Sequence, residues 1–470
     1  MTSVVAERMD DNGRFDAVAA PFLQGEGLPF ADVLDAKAIE RAFDAEDGLF
    51  AQDDIFSTNV TLWAFLAQAL RDGKGVSCAA AVADITTYMT QIGQKPPAGD
   101  TGDYCRARAK LSLAALQNLV IESAGQLEHE ADESWLWNGL HAKLVDGFTI
   151  TMPDTPENQA EFPQLSTQRA GAGFPIARCC TVVSAATACV CDMAIGPYEG
   201  KETGESALLR EILDAFDEGD VAVFDRYYCS FMMLALLLLR GVHACTRLHQ
   251  RRISDFRRGH RLGHNDHLIT WDRPKRPPWM SEELYRQIPE TLTLREIRFD
   301  LPDTECRTEE ITVITTLTDP EAYSAEDIAN LYGLRWNVEL DIREIKQTLG
   351  LDHLRCKSPC MVRRELWVTL LAYNLIRKVI ATAAAMHGKQ PRRLSFTFTC
   401  QTVLSAWILL STGSVLDAQH LWAVALERIA DREVPLRPGR IEPRVIKRCR
   451  DRYPYMHDPR DELRAALQKT

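Results

Sequence analysis

The sequence lacks the features that mark membrane-spanning, secreted and disulfide-stabilised proteins. Its longest uninterrupted apolar run, residues 231–239, has nine residues, whereas a membrane-spanning helix needs about 20. The N-terminal residues include no apolar segment of the kind found in secretory signals. The 13 cysteines are odd in number and include no CxxC pair, which argues against a disulfide framework and a zinc ribbon. We therefore expect a cytoplasmic protein with reduced thiols.

Composition also excludes a fibrous or largely disordered chain. Of the 470 residues, 46% are hydrophobic and 26% are charged, as in ordinary globular proteins. At about 100–200 residues per domain, this length predicts two to four domains.

Basic charge is scarce overall but concentrated in two places. The net charge is −12, yet residues 1–55 alone hold 13 acidic and 4 basic residues, a balance of −9. Residues 247–276 hold 9 basic and 3 acidic residues, and residues 437–452 hold 7 and 2. Local basic stretches of this kind are typical of phosphate-binding surfaces, and the alternative is two solvated loops.

The order of apolar and amphipathic runs predicts the fold class. From residue 144 to 248 we expect three strands, a helix, a strand, a helix and a strand. This is the order of an α/β protein with an RNase H-like catalytic core, although other α/β folds share parts of it. A basic, proline-containing stretch of low regularity follows at residues 250–280, and two further strands are expected at 296–299 and 311–317. These segments predict a β-rich insertion into the core.

Two aspartates stand where apolar strands would have to bury them. Asp146 lies inside the predicted strand 144–151, and Asp225 directly follows the predicted strand 221–224. Burial of a carboxylate is costly unless it has a partner, and a metal cation is one such partner. A single aspartate of this kind is more often a strand cap or part of a salt bridge. Two on neighbouring strands favour a shared cleft.

A predicted helix over residues 324–349 provides a third carboxylate. At about 100° per residue, four of its side chains fall within a sector about 60° wide: Tyr332, Arg335, Glu339 and Lys346. The acids Asp341 and Glu344 fall on the opposite side. Such a stripe is usually a solvated, salt-bridged surface. It also suits a two-metal phosphoryl-transfer site, which needs about three carboxylates.

These residues together resemble a known family. The spacing Tyr332-x2-Arg335-x3-Glu339-x6-Lys346, with Trp336 after the arginine, resembles the Y-R-E-K signature of IS4-type DDE transposases. The pairs Asp146-Gly147 and Asp225-Arg226 resemble the positions of that family's first and second acids. The segments GDYCRARAKL and PRVIKRCRDRYP are also similar to members of the group. The resemblance covers roughly residues 55–455.

The resemblance implies a mechanism and partners. It implies that Asp146, Asp225 and Glu339 are the catalytic residues and bind two Mg²⁺ ions, for which Mn²⁺ can substitute. It implies hydrolysis at the ends of an insertion sequence and joining of the 3′-hydroxyl ends to target DNA. The DNA-binding residues would be Tyr332, Arg335, Lys346, Trp336 and Arg226. The partners would be double-stranded DNA, as terminal inverted repeats and target, and a second copy of the chain in a homodimer. The location would be cytoplasmic and nucleoid-associated.

The corresponding domain prediction has six segments. They are an acidic N-terminal segment (1–55), a helical DNA-binding domain (56–135), the first part of the RNase H-like core (136–249), the basic β-rich insertion (250–320), the completing helices of the core (321–390), and a C-terminal helical and basic tail (391–470). The second segment has the pattern of a helix-turn-helix unit, although many other helical bundles have the same pattern.

Two other functions fit the same residues. One is a DNA-binding protein with the transposase fold that is inactive or domesticated, and the other is an RNase H-like metal-dependent nuclease that cuts without joining. In some relatives an aromatic side chain holds a flipped base. Trp271 and Trp279 in the insertion are candidates for this, and the alternative is that each anchors a loop.

Overall fold

The computed structural model describes residues 34, 36–45, 48–51, 54–91, 93–300, 310–411, 418–435 and 456–468. Most of the acidic segment 1–55 and all of the basic segment 437–452 lie outside these residues. The chain forms two compact units. One unit consists of residues 1–135, 186–191 and 341–434, and the other of residues 136–185, 192–340 and 435–470.

The second unit is built on a nine-stranded mixed sheet, in agreement with the predicted α/β class. Its strands lie in the order β3-β2-β1-β4-β5-β9-β8-β7-β6. Strand β1 pairs in parallel with β4, and β4 pairs in parallel with β5. The strands are β1 (Ala142–Thr151), β2 (Ile176–Ser184), β3 (Val190–Pro197), β4 (Val221–Phe224), β5 (His243–Arg247), β6 (His260–Gly263), β7 (Asp266–Asp272), β8 (Thr291–Asp300) and β9 (Glu310–Thr315).

The five strands predicted between residues 144 and 248 are confirmed to within two residues at each end. Their side chains are buried almost throughout, and all four residues of β4 are inaccessible to solvent. A continuous apolar run of this length is typical of a strand covered on both faces. The length and apolar composition of these runs were therefore sufficient to place the strands.

The prediction of low regularity over residues 250–280 is wrong. Strands β6 and β7 lie there, and they pair with each other and with β8. No residue of β6 is buried, and two of the three buried residues of β7, Asp266 and His267, are ionisable. Asp266 and Arg295 form a bidentate ion pair at 2.9 and 2.6 Å, and His267 Nε2 lies 2.6 Å from Glu296 Oε2. Each of these ionisable groups has its partner on the neighbouring strand, so hydropathy alone does not reveal the strands.

The single helix predicted over residues 324–349 is interrupted. Its start is confirmed, because Ser324 and Asp327 form a capping box. The helical segments are Ala325–Gly333, Trp336–Arg343 and a π-helical turn at Glu344–Thr348. At the first break the amide of Arg335 bonds to the carbonyl of Tyr332, three residues back. Tight and wide turns both change the angle per residue, so the predicted 60° sector does not hold along the whole segment.

The other helices of the second unit are short. They are α6 (Pro156–Glu161), α7 (Glu205–Glu211), α8 (Phe231–Leu238), α9 (Glu282–Gln287), α10 (Ala325–Gly333), α11 (Trp336–Arg343, whose last three residues belong to the first unit) and α15 (Arg460–Gln468). Helix α7 packs on β2, and α10 packs on β5 and β4.

The first unit is helical. Its helices are α1 (Ala36–Asp44), α2 (Thr58–Ala69), α3 (Cys78–Gln91), α4 (Gly102–Lys110), α5 (Leu113–His129), α12 (Pro359–Met386), α13 (Phe396–Ser411) and α14 (Ala418–Ala430). The long helix α12 packs against α5, α2, α14 and α13. By length and composition α12 alone among the described helices could cross a membrane, but 89% of its most apolar window is buried inside the protein. It is the core helix of this unit.

Candidate active site

Asp146 lies within β1, and Asp225 directly follows β4, the parallel strand beside it. Val145 of β1 is paired with Phe224 of β4, so the aspartate that follows each of them occupies the next position along the same edge. Asp146 Oδ1 accepts a hydrogen bond from the amide of Gly147 at 2.8 Å, and Asp225 Oδ1 accepts one from the amide of Arg226 at 2.7 Å. The two carboxylates are thus held by equivalent local contacts. The strands associated with these two aspartates are neighbours, as predicted.

The Asp146 carboxyl group lies in an environment that opposes its ionisation. Burial raises the pKa of Asp146 to about 6, and the nearby carboxylates of Glu205 and Glu339 act in the same direction. The amide of Gly147 and the guanidinium of Arg335 lower this pKa. A site in which acidic groups outnumber cations disfavours each added negative charge and favours a bound cation. The effect of Glu339 on the pKa of Asp146 means that the two carboxyl groups are close enough to interact electrostatically.

Glu339 forms an ion pair with Arg335 on the same segment. Arg335 Nη1 and Nη2 each lie 3.2 Å from Glu339 Oε1. The guanidinium also stacks on the ring of Trp336 at 4.1 Å and is almost fully buried, whereas the Glu339 side chain is 48% exposed. The buried Nε of Arg335 has no hydrogen-bond partner among the described residues. Arg335 thus has donor capacity left for another acceptor.

The other predicted DNA-binding residues lie in different environments. Tyr332 is buried beside Asp225, and burial raises the pKa of Tyr332 to about 12. Trp336 is 56% exposed and Arg226 is half-buried. Lys346 lies in the π-helical turn, where it forms an ion pair with Asp352 at 2.8 Å. That turn belongs to the helical unit and not to the sheet unit that carries the three acids.

Sequence reasoning missed a fourth carboxylate beside Asp146. Glu205 is the first residue of α7, and its carboxyl group packs against Gly147. A Cβ atom placed on Gly147 would lie 2.3 Å from Glu205 Cδ. A glycine directly after a strand aspartate was the available signal, because glycine in a strand often marks a close approach. The sequence does not show which residue approaches.

The two acids that were expected to face away from the site have structural partners. Asp341 is buried and accepts hydrogen bonds from Arg392 at 3.0–3.1 Å, and Glu344 pairs with Arg377. Both belong to the helical unit. Their assignment as non-catalytic acids is consistent with these contacts.

The two tryptophans considered for base flipping have arginines on their rings. Trp271 is buried beneath Arg252, whose Cζ lies 3.5 Å from the ring centroid, and Arg210 lies 3.9 Å from the ring of Trp279. These contacts favour the alternative that each tryptophan anchors a loop.

The donor set suits a hard divalent cation. Carboxylate oxygens are the ligands that Mg²⁺ and Mn²⁺ prefer, and the carboxylates of Glu205 and Glu339 lie near enough to Asp146 to act on its ionisation. Within the described residues, no three Asp, Glu, His or Cys side chains lie close enough together to hold a metal ion. The Arg335–Glu339 pair accounts for part of this, since Glu339 is directed to the arginine.

Comparison with known proteins identifies the class. The family model described as "Transposase DDE domain" matches residues 138–375, which is half of the chain. The chain belongs to this family, and it is a DNA transposase. Members of the family depend on a divalent metal.

Individual relatives place it within the family. The chain is 25% identical over 456 residues to the transposase InsG for insertion sequence element IS4 of Escherichia coli K12, covering 96% of this chain and 97% of that protein. It is 40% identical over 70 residues to the transposase for insertion sequence element IS421 of Escherichia coli, covering 15% and 19% of the two chains. The chain is therefore an IS4-type DDE transposase, as its motifs predicted.

One solved structure is also similar. A piggyBac transposase synaptic complex with hairpin DNA covers 92% of this chain and 86% of its own, with a TM-score of 0.43 and 10% identity.

Proposed function

We propose that this transposase cleaves DNA at the ends of an insertion sequence and joins the 3′-hydroxyl ends to target DNA, using Asp146, Asp225 and Glu339 as its catalytic carboxylates. One observation carries the proposal. Asp146 within β1 and Asp225 directly after β4 each follow a residue of the pair Val145–Phe224 on these neighbouring parallel strands, and Glu339 acts electrostatically on Asp146. The alternative acids in the same helical segment, Asp341 and Glu344, are already neutralised by arginines.

The three carboxylates would hold two Mg²⁺ ions, for which Mn²⁺ can substitute. When bound, such ions activate a water or 3′-hydroxyl nucleophile and stabilise the leaving 3′ oxygen. The protein's own contribution is to fix the carboxylates. The amides of Gly147 and Arg226 orient the two aspartates, and burial limits the access of water to Asp146.

Arg335 would exchange one anionic partner for another when DNA binds. In the protein alone it neutralises Glu339 and retains a buried donor without a partner. A DNA phosphodiester near Trp336 offers a second anionic acceptor, which the guanidinium can bind in a bidentate manner. Transfer of Arg335 to the phosphate leaves Glu339 free to bind a cation. Tyr332, Arg226, Trp336 and Lys346 are proposed as further DNA contacts.

The basic part of the sheet unit offers an additional DNA surface. Exposed arginines lie between β5 and β6 and on β6, among them Arg251, Arg257, Arg258 and Arg261. The predicted insertion 250–320 would thus contact DNA through phosphates, which steers binding without specifying sequence.

The finer architecture belongs to the same proposal. The strand order β3-β2-β1-β4-β5, with β1, β4 and β5 parallel, supports an RNase H-like core. Strands β6–β9 extend that sheet from β5. We also propose the six-segment domain division, a helical DNA-binding domain at 56–135, a homodimer on DNA and association with the nucleoid.

A strand-transfer assay tests the proposed function. Purified protein, Mg²⁺ and a duplex carrying the DNA end that flanks the gene are mixed with supercoiled plasmid, and Glu339→Gln is run beside the wild type. Joining of the duplex to the plasmid by the wild type alone supports both the reaction and the third carboxylate. Binding without cutting would instead favour the inactive or domesticated protein, and cutting without joining would favour the nuclease.

A further inference from the structure

The carboxyl group of Glu205 lies directly over the strand that carries Asp146. A Cβ atom on Gly147 would be 2.3 Å from Glu205 Cδ and 2.6 Å from Oε1. Only glycine leaves room for the carboxyl group at this distance. Glu205 thus occupies the space that a side chain next to Asp146 would otherwise fill.

Two contacts join the start of α7 to the turn that follows Asp225. Glu205 Oε2 lies 3.4 Å from the hydroxyl of Tyr228, and Ser206 Oγ donates a hydrogen bond to the carbonyl of Tyr227 at 3.2 Å. Tyr227 and Tyr228 belong to the 3₁₀ turn Arg226–Tyr228, which begins directly after Asp225. The position of Glu205 is therefore set by contacts with the segments that carry both catalytic aspartates.

Glu205 differs from other acids in the first turns of helices. An acid at this position interacts favourably with the helix dipole, but that does not require its carboxyl group to lie against Gly147. Glu282, which begins α9, pairs with Arg286 one turn later. Among the described residues, no lysine, arginine or histidine forms an ion pair with Glu205. It adds negative charge beside Asp146 without a neutralising cation.

We propose that Glu205 is a fourth carboxylate of the active site and supplies an oxygen ligand to the divalent ion that Asp146 binds. The inference rests on the proposed metal site and extends it by one residue. Gly147 has a defined role in this arrangement, because it lets the Glu205 carboxyl group reach the ion beside Asp146. A further anionic ligand increases the affinity of the site for a divalent cation.

Manganese binding tests this assignment without depending on catalysis. The full chain is bound to a precleaved duplex of the element end, and Mn²⁺ is titrated while the free ion is followed by electron paramagnetic resonance. Glu205→Gln retains an acceptor for Tyr228 and removes the charge. We expect it to weaken Mn²⁺ binding by about 10-fold or more, within the range seen when groups that support a metal site are removed.

Two further variants separate this role from a structural one. Glu211→Gln makes the same substitution at the exposed end of the same helix and should bind Mn²⁺ like the wild type. Tyr228→Phe removes the only hydroxyl in contact with the Glu205 carboxylate in the described structure and should also retain Mn²⁺ affinity. If Tyr228→Phe loses as much affinity as Glu205→Gln, the hydrogen bond and not metal ligation explains Glu205, and the inference is overturned.

Asp146→Asn distinguishes failure of this inference from failure of the proposed site. Loss of Mn²⁺ binding in Asp146→Asn with unchanged binding in Glu205→Gln would overturn only the fourth ligand. Unchanged binding in both variants would overturn the metal site itself. Weakened binding in both, with the two controls unaffected, supports the assignment of Glu205.

Discussion

Two groups of acids in this protein have opposite charge balances. In the helical unit, Asp341 and Glu344 are matched by Arg377 and Arg392, so that two acids face two arginines. In the sheet unit, the carboxylates of Glu205 and Glu339 and the single guanidinium of Arg335 act on Asp146, and Arg335 pairs with Glu339. The charges of the first group are balanced within the protein, whereas in the second group the acids outnumber the arginine.

This difference separates structural acids from functional ones. A buried carboxylate that is paired with arginines cannot be removed without loss of stability, because each arginine is then left as an isolated charge. A cluster with excess negative charge costs folding free energy and retains the capacity to bind a cation. Substitution at the two groups should therefore affect stability and activity in opposite ways.

The largest effect is expected on catalysis at the sheet unit. Asp146→Asn, Asp225→Asn and Glu339→Gln should each lower strand transfer by about 1,000-fold or more, because each removes a proposed ligand of the ions that would activate the nucleophile. Joined product per unit time, measured on plasmid gels, gives the rate. Glu157→Gln, an exposed acid near the end of β1, should leave it unchanged. Normal joining by Asp225→Asn would remove that residue from the site.

The next largest effect is expected on stability at the helical unit. Asp341→Asn should lower the free energy of unfolding by about 3 kcal/mol, since it leaves the buried Arg377 and the partly buried Arg392 incompletely neutralised. Denaturant unfolding of the full chain gives the value. Asp431→Asn breaks an exposed ion pair with Arg428 in the same unit and should cost less than about 0.5 kcal/mol. A fully stable Asp341→Asn variant would contradict the distinction between the two groups.

Stability at Asp146, the first of the proposed catalytic aspartates, should change in the opposite direction. Burial raises the pKa of Asp146 in the folded protein to about 6, so its ionisation costs free energy that is absent at low pH and complete above about pH 6. In EDTA, Asp146→Asn should stabilise the protein by up to about 3 kcal/mol at pH 7.5 and by about half of that at pH 5. Thermal unfolding at both pH values measures this. A gain that does not depend on pH would exclude ionisation as its cause.

The smallest effect is expected at the arginine of the acidic cluster. Arg335→Gln should weaken binding to the element end by about 10-fold and reduce the slope of log affinity against log salt by about one, as expected for the loss of one phosphate contact. Fluorescence anisotropy at several salt concentrations gives both values. Arg343→Gln, on the exposed surface near the end of the same helical segment, is the matched comparison. An equal change in the two variants would assign the effect to net charge.

The apolar parts of the fold were the most predictable. Strands β1–β5 are buried runs with few alternatives. Strands β6 and β7 were missed because β6 buries no residue and two of the three buried residues of β7, Asp266 and His267, are ionisable. Periodicity reports the burial of apolar surface, and it gives no signal where burial depends on ion pairs across strands.

The candidate site was predictable in part for a similar reason. Asp146 and Asp225 were recognisable as acids in apolar strands, and Glu339 was recognisable from its spacing to Tyr332 and Arg335. The interruption of the helix at residues 334–335 was not predicted, because it arises from a change in backbone hydrogen bonding after Gly333. Glu205 had no spacing relationship to any of these residues.

The sequence by itself determined the family and the order of the core elements, and it supplied the three acids proposed for the site, because these depend on residue types and their local context along the chain. Only the tertiary structure decided which charges are neutralised. Pairing β1 with β4 places two aspartates together, and the packing of α7 brings in Glu205. The helical unit encloses Asp341 among arginines that lie 36 and 51 residues further along the chain. Electrostatic energy depends on distance in space, which residue order does not specify.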